Sequence, residues 1–142
     1  MFKGEYNHTI DPKNRLIIPA KFREQLGEAF VITRGLENGC LYIYGAEEWN
    51  RFEENLRALP SNENSRKLVR YFTANAADVE VDKQGRILIP TTLKEAAELE
   101  KDVVLAGVLT RIEIWAKDKW DQNVYDDMND IAEQMAELGL SI

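Results

Sequence analysis

One nine-residue segment occurs twice in this chain. Asp-Pro-Lys-Asn-Arg-Leu-Ile-Ile-Pro occupies positions 11–19, and Asp-Lys-Gln-Gly-Arg-Ile-Leu-Ile-Pro occupies positions 82–90, an offset of 71 residues. The aspartate, the arginine, the three aliphatic residues and the last proline coincide. An internal repeat constrains the fold more than any other feature, because two copies of one unit are expected to form two copies of one structure.

The first four residues of each copy predict a tight turn. Aspartate starts a turn well because its carboxylate accepts hydrogen bonds from nearby backbone N–H groups. Asparagine or glycine holds the fourth place, and both tolerate the left-handed backbone conformation. The pattern is typical of a type I turn closed by a left-handed residue, which commonly connects a hairpin. The turn-orienting residues are Asp11 and Asn14 in the first copy and Asp82 and Gly85 in the second.

An arginine follows each turn, at Arg15 and Arg86. A rigid turn that holds a guanidinium group suits a phosphate group or the edge of a guanine base. The alternative is a structural Asp–Arg ion pair that fastens the turn and contacts no ligand. Duplication of the pattern favours a shared binding role but leaves that alternative open.

Basic charge gathers at the two repeats, although the whole chain carries a net charge of −7. Positions 11–23 hold four basic residues against one aspartate, a balance of +3, and positions 82–94 hold three against one, a balance of +2. Positions 117–142 hold two lysines against seven acidic residues, a balance of −5. Because the distribution of charge matters more than its sum, the acidic total does not argue against a nucleic-acid partner.

Hydrophobic patterning predicts the same elements in both repeats: strand, turn, strand, helix, strand, turn, strand, helix. One repeat has about forty residues before its last helix, too few to bury a good core alone, so the two repeats are expected to fold on each other. Short intertwined strands that close a small barrel would also remove exposed sheet edges. Helices are predicted at 20–26 and 91–97. The strands that follow them, at 30–33 and 103–106, are expected to end at Gly35 and Gly107. The closing strands are predicted at 40–44 and 111–115.

Further helices are predicted outside the repeated strands. Two lie between the repeats and are separated at Pro60, and the last begins near Lys117. The predicted organisation is a first module at 5–47, a helical connection at 48–75, a second module at 76–119 and an acidic helix at 117–142. The last helix is expected to pack on its own barrel or on a neighbouring subunit, because it carries an apolar stripe. The residues of this stripe are Trp120, Val124, Met128, Ile131, Met135 and Leu138.

The composition excludes several classes of protein. One Cys and one His cannot build a usual zinc site, and the Gly-rich phosphate loops of nucleotide-binding proteins are missing. His8 is expected to be structural, because the matching strand face of the second repeat is apolar. We therefore expect no catalytic residue, no metal, no cofactor and no enzymatic activity. A single Cys, no apolar run near ~20 residues and no signal-peptide core predict a cytoplasmic protein without a membrane partner.

The repeated segments resemble those of the MraZ family across essentially the whole chain. The residues that carry the resemblance are Met-Phe-Lys-Gly-Glu-Tyr-Asn-His-Thr-Ile-Asp-Pro-Lys-Asn-Arg at the start, Ile-Pro-Ala-Lys-Phe-Arg at 18–23, Asp-Lys-Gln-Gly-Arg at 82–86 and Ile-Glu-Ile-Trp at 112–115. Asn14 departs from the glycine usual in the family, but it also tolerates the left-handed conformation.

The resemblance implies a mixed α+β fold with a mainly β core. Two AbrB-like (SpoVT-AbrB) modules would form a swapped-hairpin or double-psi type β-barrel with pseudo-two-fold symmetry and peripheral helices. It implies a nucleoid-associated bacterial transcriptional regulator that assembles into a ring, commonly octameric. Such a ring would bind G-rich direct repeats in double-stranded DNA upstream of the division and cell-wall gene cluster. The alternative is a ring-forming scaffold without DNA binding.

The DNA-binding signature of the family is Asp-x-x-x-Arg, which maps to both turns of this chain. In this interpretation the two aspartates hold the turns and orient the arginines, which contact guanine, while nearby lysines and Arg23 contact phosphates. The acidic last helix would face away from DNA or hold subunits together. The residues assigned to DNA binding are Arg15, Arg86, Lys13, Lys83, Lys21 and Arg23.

Overall fold

The computed structural model describes residues 1–123 and 128–142. The strands are β1 (Phe2–Thr9), β2 (Arg15–Ile17), β3 (Ala29–Arg34), β4 (Cys40–Gly45), β5 (Ala77–Glu80), β6 (Arg86–Leu88), β7 (Asp102–Leu109) and β8 (Arg111–Ala116). The helices are α1 (Ala20–Leu26), α2 (Ala46–Arg57), α3 (Glu63–Thr73), α4 (Thr91–Ala96), α5 (Lys117–Asn123) and α6 (Met128–Leu138). This order confirms the duplicated pattern of elements predicted from the sequence.

These strands form two antiparallel sheets that combine both repeats. The larger sheet has the order β1-β7-β8-β4-β3-β5, and the smaller one, here called the ribbon, pairs β2 with β6. Exchanging each strand for its counterpart in the other repeat reverses the six-strand order onto itself. The sheet therefore has a pseudo-two-fold axis between β4 and β8, and each repeat needs the other to complete it.

The ribbon closes one face of the large sheet. Leu16 and Ile87 lie opposite each other on the ribbon and are fully buried. They belong to the main hydrophobic cluster together with Ile43 of β4 and Ile114 of β8. Helices α1 and α4 contribute Phe22 and Leu93 to the same cluster, so ribbon, helices and large sheet enclose one barrel-like core.

Peripheral helices cover the other face of the large sheet. Trp49 of α2 and Trp120 of α5 occupy matching places in the two repeats and are buried in a second apolar cluster. Helix α3 is joined to this face by the Thr33 hydroxyl, which donates to the backbone oxygen of Phe72 at 2.7 Å. The chain is thus a mixed α+β protein with a mainly β core, as expected for duplicated AbrB-like modules.

The two Asp–Arg turns connect different sheets. β1 pairs with β7, whereas β2 pairs with β6, so the expected hairpin between the strands on either side of each turn is wrong. The predicted turn conformation is confirmed, because Asn14 and Gly85 have φ angles of 62° and 80°. The local sequence determines the turn, but contacts between the repeats determine which strands pair.

Gly107 does not end a strand, as the sequence predicted, because β7 continues to Leu109. It pairs with Gly4 of β1, and a Cβ atom at Gly107 would lie only 2.4 Å from the backbone nitrogen of Lys3. Gly107 is therefore needed for the close approach of two strands.

The helical segment predicted at 117–142 ends before residue 142. Helix α6 ends at Leu138, and Gly139 follows with a φ of 70°, a common way to end a helix. Val124, one member of the predicted apolar stripe, lies outside the described residues. Met128, Ile131 and Leu138 are exposed, so these residues do not pack on the barrel of their own chain.

The one histidine of the chain lies in an edge strand of the large sheet. His8 lies in β1 opposite Val103 and is half-buried, so it is less enclosed than the apolar pattern of its counterpart strand predicted.

None of the helices formed by residues 1–123 and 128–142 has the length and apolar character needed to cross a membrane.

Candidate nucleic-acid interface

Each Asp–Arg turn is held by the same set of hydrogen bonds. The backbone N–H of Asn14 donates to the backbone oxygen of Asp11 at 2.9 Å, and the corresponding Gly85–Asp82 distance is 3.0 Å. In the first turn, Oδ1 of Asp11 accepts from the backbone N–H groups of Lys13 and Arg15 at 2.9 and 2.8 Å. Each aspartate therefore fixes the backbone of its turn through one carboxylate oxygen.

The second carboxylate oxygen orients the arginine. Nε of Arg15 donates to Oδ2 of Asp11 at 2.7 Å, and Nε of Arg86 donates to Oδ2 of Asp82 at 2.8 Å. No other described residue accepts a hydrogen bond from either guanidinium group. The terminal nitrogens of both arginines thus remain available to a ligand, in the planar arrangement that matches O6 and N7 of guanine.

These bonds also keep both aspartates ionised. The backbone N–H of Arg15 is the main cause of the lowered pKa of Asp11, and that of Arg86 is the main cause of the lowered pKa of Asp82. Because the pKa of each aspartate in the folded protein lies below its unfolded value of about 4, the ionised carboxylates stabilise the folded state fully above that pH. It is lost only as the pH falls through the lower folded value, so both turns keep their negative charge at neutral pH.

The ribbon brings the two arginines onto one surface. Arg15 pairs with Leu88, and Arg86 pairs with Ile17, so the arginines are diagonal neighbours on antiparallel strands. Such neighbours are about 7–8 Å apart. Leu16 and Ile87 point into the core, and alternation along each strand turns the arginines to the outer face. The sequence repeat predicted two similar sites, and the structure joins them into one.

A basic side chain on the first helix of each repeat lies against the turn of the other repeat. Nζ of Lys94, on α4, donates to Oδ1 of Asn14 at 3.0 Å. In the symmetric place, Arg23 of α1 lies against Gly85, and its Nε donates to the backbone oxygen of Ile18 at 2.9 Å. The 71-residue offset aligns Lys94 with Arg23, so the repeat itself indicates that Lys94 belongs to the site.

The remaining predicted phosphate contacts lie on the two turns and on α1. Lys13 and Lys83 are exposed on the two turns, and Lys21 is exposed on α1. Arg23 is half-buried, and its Nε already donates to the backbone oxygen of Ile18. The structure therefore brings the predicted turn residues together, and it gives Arg23 a bracing contact that the sequence did not reveal.

Substitutions at the left-handed turn positions give a direct prediction. Asn14→Gly should lower the free energy of unfolding by no more than about 1.5 kcal/mol, because it loses the hydrogen bond to Lys94 and a long 3.5 Å hydrogen bond to Thr91. Asn14→Val should cost about 1–2 kcal/mol more, because a β-branched residue is strained at positive φ. Urea denaturation measures both values. Equal stability of the two variants would contradict the need for a left-handed residue.

A second polar cluster lies away from the ribbon. Glu37, Cys40 and Glu113 have side-chain atoms within 4.8 Å of one another. Glu113 already accepts from Arg111 at 2.8 Å and from Trp115 at 3.0 Å. Burial raises the pKa of the Cys40 thiol far above its usual value, so the sulfur stays protonated. These contacts stabilise the large sheet, and the absence of a bound metal stays a prediction.

The fold and the turns together define a class of protein: two fused, intertwined modules with AbrB-like architecture and a matched pair of Asp–Arg turns. The chain matches the family described as "MraZ protein, putative antitoxin-like" over residues 1–71 and again over residues 72–139. The chain belongs to the MraZ family.

Bacterial relatives named "Transcriptional regulator MraZ" match along nearly their whole length. The protein from Lachnoclostridium phytofermentans is 59% identical over 141 residues, which cover 99% of each chain. The protein from Acetivibrio thermocellus is 55% identical over 144 residues, and the one from Clostridium tetani is 54% identical over 145 residues. Both matches cover 99% of this chain and 100% of the relative. The coarse function is therefore that of a bacterial transcriptional regulator, a non-enzymatic role that agrees with the expectation from the sequence.

Proposed function

We propose that this protein regulates transcription by binding double-stranded DNA with the outer face of the ribbon. A two-stranded β-ribbon fits the major groove, where guanine presents two acceptors to an arginine. Arg15 and Arg86 contact guanines, Asp11 and Asp82 orient them, and Lys13, Lys83, Lys21 and Arg23 contact phosphates. The binding sites are G-rich direct repeats upstream of the division and cell-wall gene cluster.

The observation that carries this proposal is the arrangement of the two guanidinium groups. Each is held at Nε by an aspartate of its own turn, and no described residue accepts from its terminal nitrogens. A purely structural ion pair would fasten the turn equally well, but it requires neither the shared outer surface nor the lysines around it. The duplicated arrangement therefore favours a ligand with repeated acceptors and a dense negative charge.

The proposal includes assembly into a ring, which the family resemblance leads us to expect as an octamer. The modules at 5–47 and 76–119 would face DNA. One subunit presents few contacts, whereas a ring on tandem repeats presents many, so affinity comes from multivalency. The helical connection at 48–75 and the acidic helix at 117–142 supply surfaces for neighbouring subunits. Such a protein would act in the cytoplasm, on the nucleoid.

A band-shift assay with DNA from upstream of the protein's own gene tests DNA binding. We expect retarded complexes whose affinity falls steeply between 50 and 200 mM salt, by about 10³–10⁵ for 6–10 phosphate contacts. Scrambled DNA of equal composition is the control for specificity. Absence of any complex at low salt would instead favour the protein-interaction scaffold.

Light scattering tests the assembly. Exposed apolar residues on α6 motivate this prediction, since Met128 and Leu138 are 85% and 81% exposed in the single chain. At micromolar concentration the mass should be several times the 16.3 kDa of one chain, and about eight times for an octamer. A mass of one chain throughout that range would rule out the ring and the multivalent mechanism.

A further inference from the structure

The ribbon exposes two aliphatic side chains beside its two arginines. Ile17 is 45% exposed and Leu88 is 61% exposed, whereas Leu16 and Ile87 on the inner face are at most 1% exposed. Strand alternation places Ile17 and Leu88 on the same outer face as the arginines. An unbroken apolar run is typical of a strand that is covered on both faces, but the exposure of these two residues shows that the ribbon is covered on its inner face only.

Each aliphatic side chain has an arginine of the other repeat directly opposite. Leu88 pairs with Arg15, and Ile17 pairs with Arg86. Residues in such positions have Cβ atoms about 4.5–5.5 Å apart. The outer face therefore consists of two equivalent pairs, each with one guanidinium group and one aliphatic group, related by the pseudo-two-fold axis.

We propose that Ile17 and Leu88 are specificity-determining residues that contact the C5-methyl groups of thymines. Thymine is the base that presents an apolar methyl group in the major groove, and aliphatic side chains recognise it by contact. Neighbouring bases on one strand are about 3.4 Å apart along the helix axis. An aliphatic group beside an arginine thus reaches a base pair next to the guanine that the arginine contacts.

This inference rests on the proposed DNA binding and identifies the sequence class of the site: guanine with an adjacent thymine. The charge near the two aliphatic residues favours DNA over an apolar protein partner, because two arginines and the exposed Lys13 and Lys83 outnumber Asp11 and Asp82 on the same two turns. A phosphate contact gains nothing from an aliphatic side chain, whereas a base edge with a methyl group does.

The test compares thymine with deoxyuridine, which lacks only the methyl group. Two duplexes of the DNA upstream of the protein's own gene are made, one with thymine and one with deoxyuridine throughout. Fluorescence anisotropy at one salt concentration measures the affinity of the full chain for each. The variants are the double substitution Ile17→Ala with Leu88→Ala and the control Leu36→Ala, which removes a leucine of similar exposure, 70%, between β3 and β4.

The wild type should bind the thymine duplex about fourfold more tightly for each methyl group contacted. The double variant should bind both duplexes equally, and Leu36→Ala should discriminate as the wild type does. Wild-type binding without a thymine preference would overturn the inference while leaving DNA binding intact, and this comparison needs no variant to fold. The same preference in a correctly assembled double variant would also overturn it. Failure of the wild type to bind either duplex would contradict the proposed function itself.

Discussion

Arg15→Ala is expected to abolish DNA binding almost completely while the barrel stays folded and assembled. The turn should persist because Oδ1 of Asp11 still accepts from the backbone N–H groups of residues 13 and 15. Loss of a bidentate guanine contact costs about 1–3 kcal/mol at each site. Repeated around a ring on tandem sites, this loss removes nearly all binding. Melting temperature, mass and DNA affinity are measured on one preparation.

Two matched variants separate recognition from simple charge. Arg15→Lys keeps the positive charge but lacks the planar fork, so it should restore binding only in part. Arg86→Ala should lose less affinity than Arg15→Ala, because the first repeat is more basic, +3 against +2. A stable, assembled Arg15→Ala protein that binds as tightly as the wild type would remove Arg15 from the interface. A large loss of stability in that variant would instead assign Arg15 to fastening the turn.

Phe22→Ala should produce the largest loss of stability among the substitutions considered. Phe22 is fully buried beneath the ribbon, and its ring meets those of Phe2 and Tyr6 at centroid distances of 5.8 and 5.0 Å. Removing such a ring from a core costs about 3–5 kcal/mol. Urea denaturation should show this decrease in the free energy of unfolding, and the ribbon that presents the arginines should be lost with it.

The same helix provides a surface control. Glu24 is exposed on α1, so Glu24→Ala should change the free energy of unfolding by no more than about 0.5 kcal/mol. Leu93 holds the position of Phe22 in the second repeat, and Leu93→Ala should cost about 2–5 kcal/mol. A loss below about 1 kcal/mol in Phe22→Ala would show that α1 does not anchor the ribbon.

The local features of the fold were predictable from the sequence because they depend on a few adjacent residues. Asp11 and Asn14 specify the first turn, and the alternation of apolar residues indicates most strands within one or two positions. Helix α1 was predicted at its observed bounds, since Pro19 precedes it and Phe22 and Leu26 mark its buried side. The presence of both arginines in equivalent turns also followed from the repeat.

The pairing of strands was not predictable in the same way, because it depends on contacts between residues far apart in the chain. The residues adjacent to Arg15 in the sequence do not indicate that β2 pairs with β6 and that β1 pairs with β7. The exposure of Ile17 and Leu88 depends on that pairing as well. An apolar run in the sequence does not reveal which of its residues face the core, so the composition of the interface required the three-dimensional structure.

The strand order has a consequence for any chain that carries a single repeat. Such a chain would lack partners for β1 and β2, so it would complete its core only by dimerising with a second copy. Joining two copies through α2 and α3 replaces that encounter with an intramolecular one, at an effective concentration on the order of millimolar. Fusion therefore keeps the barrel closed even when the protein is scarce. It also lets the two halves diverge, so that the two ends of the proposed DNA-binding face need not be identical.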